Sequence, residues 1–92
     1  MLHQESAISL AFKAITFIVA DDTLRDRFLA LSGLSPDEIR ANLPETTFQA
    51  SILEFLVSHE PDLIAFAKDI NETPEQIVKA WRTLGGGVGQ EW

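Results

Sequence analysis

The chain has 92 residues, enough for one domain and too few for two ordinary ones. Hydrophobic residues make up 46% of it, which places it with chains that fold around a core rather than with disordered ones. The absence of cysteine excludes disulfides and thiolate metal sites, and a net charge of −7 without any run of bases argues against nucleic acid or an anionic membrane as partner.

The first residues, Met-Leu-His-Gln-Glu, lack the basic start of a secretory signal, and together with the missing cysteines they lead to the expectation of a cytoplasmic protein. The apolar stretch Ile8–Ala20 is interrupted by Lys13 and is shorter than the roughly 20 residues a membrane-spanning helix needs, so it reads as a buried helix. The spacing predicts a first helix over about Gln4–Ala20. Ile8, Ala11, Phe12, Ile15, Ile18 and Val19 lie on one face, widened by Leu10, Ala14 and Phe17. Only Ser9, Lys13, Thr16 and Ala20 are left for water. A helix this apolar belongs at the centre of a bundle or against a second chain.

Asp21 or Asp22 caps a second helix near Thr23–Leu31, and Gly33 supplies the left-handed residue that ends it. Ser35-Pro36-Asp37-Glu38 is a helix-start box: Ser35 caps, Pro36 fits the first helical position and Glu38 reaches back. It opens a short third helix, about Pro36–Leu43, which Pro44 discourages from continuing. Phe48, Ile52, Phe55 and Leu56 place a fourth apolar helix over Thr46–Val57. Pro61 opens a fifth with Leu63, Phe66, Ala67 and Ile70, and Asn71 ends it. Thr73-Pro74-Glu75-Gln76 repeats the start box and leads into a sixth helix with Ile77, Ala80, Trp81 and Leu84. No segment alternates with period two, so the expected fold class is all-α: a compact bundle of five to six short helices over residues 1–84, followed by a flexible Gly-rich tail at 85–92 ending in Trp92.

A shift of 38 residues lays the first half on the second. Phe17 falls on Phe55, Val19 on Val57, Phe28 on Phe66, Pro36 on Pro74 and Ile39 on Ile77, while Ser35 meets Thr73 and Gly33 meets Asn71. The agreement of helix punctuation raises an internal repeat, with units 10–46 and 48–84, as an alternative to mere reuse of the same capping chemistry.

Chemistry is sparse. His59, Glu60 and Asp62 are the one local group with ligand-type atoms, but neighbours at a helix start do not converge on a metal without a distant partner, so they read as helix-start residues. No Ser-His-acid or Cys-His arrangement has recognisable spacing, and Gly85–Gly89 follows a helix where a phosphate loop would follow a strand. The expectation is no catalytic, cofactor-binding or metal residue, and no cofactor. The hairpin Asp22–Leu43 has the outline of a helix-turn-helix, yet its second helix opens with Asp37 and Glu38 where phosphates would lie.

The segments Arg27-Phe28-Leu29-Ala30-Leu31-Ser32-Gly33-Leu34-Ser35-Pro36, Ile52-Leu53-Glu54-Phe55-Leu56 and Ala65-Phe66-Ala67 resemble an uncharacterised family of short helical alpha-proteobacterial proteins, over about Ala7 to Gly86. That resemblance implies a bacterial cytoplasmic protein and brings no activity or site residues. From the residues alone the leading reading is a non-enzymatic helical module that binds a protein or itself. The alternative is a small-ligand-binding or carboxylate-based catalytic domain, with its cleft between the two helical units.

Overall fold

Six helices form in a computed structural model that describes residues 3–87: α1 Gln4–Ala20, α2 Asp22–Ser32, α3 Pro36–Asn42, α4 Thr46–Val57, α5 Glu60–Asp69 and α6 Pro74–Thr83. No strand occurs among the described residues, and the all-α reading holds. The boundaries follow from capping. Asp21 leaves the helical region and its carboxylate accepts from the Leu24 amide at 2.9 Å. Gly33 takes φ 70° and Asn71 φ 57°, the left-handed values that end α2 and α5.

The two helix-start boxes close as the sequence implies. The Ser35 hydroxyl accepts from the Glu38 amide at 3.2 Å, and the Ser35 amide donates to the Glu38 carboxylate at 3.0 Å. Thr73 accepts from the Gln76 amide at 3.2 Å. The bonds from Ser35 hold the Glu38 carboxyl below its ordinary value of 4.5. A carboxyl lowered in the folded state binds its proton more weakly there than in the unfolded chain. Its stabilisation is therefore present above 4.5 and fades as pH falls through the folded value. Ser35→Ala is expected to cost about 1 kcal/mol in urea unfolding at neutral pH, and less in acid. An equal loss at both pH values would mean that Glu38 takes no part in the cap.

The long helices α1 and α4 pack directly on each other, and α6 crosses both; α2 lies on α1, and α5 on α4 and α6. Their shared core contains Ile18, Ile52, Leu53, Leu56, Phe66 and Ile77, all fully buried. Burial recurs at the 38-residue spacing. Ala14 and Ile52, Ile15 and Leu53, Ile18 and Leu56, Phe28 and Phe66, and Ile39 and Ile77 are buried in pairs, and Phe17 and Phe55 are both half-buried. The aromatic contacts exchange across the halves. Phe17 of α1 meets Phe66 of α5 at 5.3 Å between ring centres, and Phe55 of α4 meets Phe28 of α2 at 5.2 Å. The two contacts join positions related by the same 38-residue spacing. The third helices depart from it. α6 is central, whereas α3 buries only Ile39.

Two expectations need correction. Phe12 and Val19, assigned to the buried face of α1, are 42% and 46% exposed. The helices α2, α4 and α6 pack on α1, whose Ala7, Ala11, Ala14 and Ile18 are buried, while the end of α5 reaches only the edge of the groove in which Phe12 lies. Finally, Gly85–Gly87 are not open chain. The Gly86 amide donates to the Trp81 carbonyl at 2.8 Å, and Gly86 lies so close on the Trp81 indole that a Cβ there would overlap the ring. These glycines finish α6 and seat Trp81. The rest of the expected tail, Trp92 included, lies outside the described residues.

Candidate functional site

Two grooves open between the halves of the molecule. The first, about 790 Å³, runs along the outer side of α1 and is closed by the end of α5; Ile8, Phe12, Phe17 and Ile70 make its apolar floor. The second, about 720 Å³, lies between α2 and α4 over Phe28, Phe48 and Phe55, with Leu31, 73% exposed, on its rim. The 38-residue shift carries one onto the other. Lys13, Thr16, Phe17, Ala20 and Asp21 of the first correspond to Ser51, Glu54, Phe55, Ser58 and His59 of the second, and Asp69 and Ile70 correspond to Leu31 and Ser32.

The grooves share positions but differ in chemistry. Behind Arg27 and His59 of the second, Asp62 of α5 takes an ion pair from Arg27 and bonds His59 Nδ1 at 2.8 Å, with only 15% of its side chain exposed. The Arg27 guanidinium also sits 5.1 Å above the Phe55 ring, a cation–π arrangement. This cluster clamps the first half onto the second across 35 residues of sequence. Leu24 and Ala65 stand at the positions equivalent to Asp62 and Arg27, so the first groove has no counterpart of it.

His59 precedes α5 without capping it through its side chain, Glu60 is the first helical residue and Asp62 lies within the first turn. The helix-start role fits Glu60 and Asp62 by position, but the partner that Asp62 finds on α2 is invisible to local reading. No group of three or more His, Asp or Glu side chains able to hold a metal occurs among the described residues. Ser51 donates to the Thr47 carbonyl at 3.1 Å and Ser32 to the Leu29 carbonyl at 3.4 Å, both within their own helices. Sequence reasoning also missed Gln49, buried on α4, whose amide donates to the Leu43 carbonyl at 2.8 Å and ties α4 to the end of α3. A Gln in an otherwise apolar helical stripe was the available signal.

The fold and its grooves define a small all-helical protein with open apolar surface. The chain belongs to the family described as "Protein of unknown function (DUF3572)", which it matches over residues 4–87. No curated protein and no solved structure matches the chain. No described helix is long and apolar enough to cross a membrane.

Proposed function

We propose that this protein is a non-enzymatic helical interaction module whose working surface is the outer face of α1. The observation that supports this is the exposure of two large apolar side chains, Phe12 and Val19, on one helix face, seven residues apart. Ile8 precedes Phe12 by one turn and lines the first groove with it, while Val19 lines a neighbouring groove beside α2 and α3.

The partner in this reading is a protein, since a net charge of −7 disfavours phosphate backbones and anionic lipid. A bacterial cytoplasmic setting, alpha-proteobacterial by the sequence resemblance, belongs to the same proposal. The two halves are read as repeated units, which accounts for paired grooves and exchanged aromatic contacts without requiring either groove to be catalytic. The carboxylate-cleft alternative would need acids that converge, and the Asp62 carboxylate is instead engaged by Arg27 and His59.

Photo-crosslinking in the native cell tests the reading. A benzophenone side chain at position 12 should yield a discrete protein adduct, a homodimer included, that is absent when the probe is placed at the exposed Lys79 of α6. Equal labelling from both positions would contradict a working surface on α1.

A further inference from the structure

Building on that reading, we infer that the first groove receives an amphipathic helix of about four turns whose apolar stripe is flanked at both ends by Lys or Arg. The length follows from the groove. Its α1 wall runs from Glu5 to Asp21, and Glu5 to Ala20 along a helix is about 22 Å, the length of roughly 15 helical residues.

The sign of the charge follows from what stands at its margins. Glu5 lies at one end and Asp21 at the other, while Asp69 lines the wall from α5. Glu5 and Asp69 form no ion pair among the described residues, and the cap that Asp21 makes to the Leu24 amide leaves its charge in place. The single base, Lys13, is in the middle of the wall. Acids at the ends and an apolar floor between them complement bases at the ends and a bare apolar stripe between them. The field of the whole chain, at −7, steers a cationic segment the same way.

Helical form is favoured by the architecture. On α4 the equivalent groove has α2 as its far wall, whose Phe28 meets both Phe48 and Phe55 and whose Arg27 stands over Phe55. On α1, α5 contributes Phe66 to Phe17 but leaves Phe12 bare, and Phe12 stands where α4 has the buried Ala50. An elongated apolar strip along one helix suits the apolar face of a second helix. The same comparison supplies a control, because the second groove shares the layout and has Leu31 and Ser51 where the first has Asp69 and Lys13.

The test uses the full chain and two labelled synthetic helices of 16 residues, each with a Leu stripe, one ending in Lys pairs and the other in Glu pairs. Fluorescence anisotropy should show the Lys peptide binding at least tenfold more tightly than the Glu peptide. Phe12→Ser should weaken it at least tenfold, Glu5→Gln with Asp69→Asn should do so severalfold, and Leu31→Ser in the second groove should leave it unchanged. The charge variants keep the test valid if Phe12→Ser proves poorly folded by circular dichroism. Equal affinity for both peptides, no binding of either at 100-fold protein excess over label, or equal sensitivity to Leu31→Ser would overturn the inference. So would sedimentation showing a Phe12-dependent dimer that excludes the Lys peptide, since the occupant would then be a second copy. An adduct from position 12 in cells combined with failure of the Lys peptide removes this inference and leaves the interaction module standing; absence of the adduct removes the module itself.

Discussion

Phe66→Ala is expected to cost about 3–5 kcal/mol in unfolding free energy. Phe66 is fully buried on α5, contacts Phe17 of α1, and lies in the core shared by α1, α4 and α6. Its removal takes away a whole ring at a point where helices from both halves meet, and close-packed neighbours relax into such a void only in part. A domain of 92 residues has a total stability of roughly 5–14 kcal/mol, so the variant is expected to melt about 15–30 °C lower. The equivalent Phe28 is also buried and should behave alike. A loss below ~1 kcal/mol for Phe66→Ala would place the core elsewhere.

The second large effect is one of function with little effect on folding. Replacing Phe12 and Val19 together by Ser should lower stability by only about 1–2 kcal/mol, because each side chain has surrendered little more than half of its surface to the fold. Ser has nearly the helix propensity of Phe and Val, so α1 itself is not weakened much by the exchange. The same variant should abolish association, since aromatic anchors at the centre of a contact carry most of its energy. Unfolding midpoints in urea with unchanged slope establish the first half of this expectation.

Helix order was legible because punctuation is local. Asp21, Gly33, Ser35-Pro36, Asn71 and Thr73-Pro74 each act on backbone groups within a few residues, and the structure places helix ends within a residue or two of them. The central place of α1 and α4 was legible too, from their wide apolar faces. What escaped was everything that depends on which helix lies beside which. Phe12 and Phe17 have the same hydrophobicity and lie on the same helix, yet only Phe17 meets a ring from α5. The tie from Arg27 to Asp62 spans 35 residues and two helices, so no local pattern announces it. Gly86 reads as loose chain until the indole of Trp81 is seen against it. The candidate site therefore came from the places where the apolar pattern of the sequence and the burial in the fold disagree.

The most direct test of the α1 surface is the size at which the protein travels in a fresh lysate of its native cell, wild type beside the Phe12→Ser, Val19→Ser variant, on one gel-filtration column. The wild type should elute well above its 10.2 kDa monomer mass and the variant at that mass, with both folded by circular dichroism. A wild type that elutes as a monomer, or a folded variant that keeps the larger size, would contradict the assignment of α1 as the working surface.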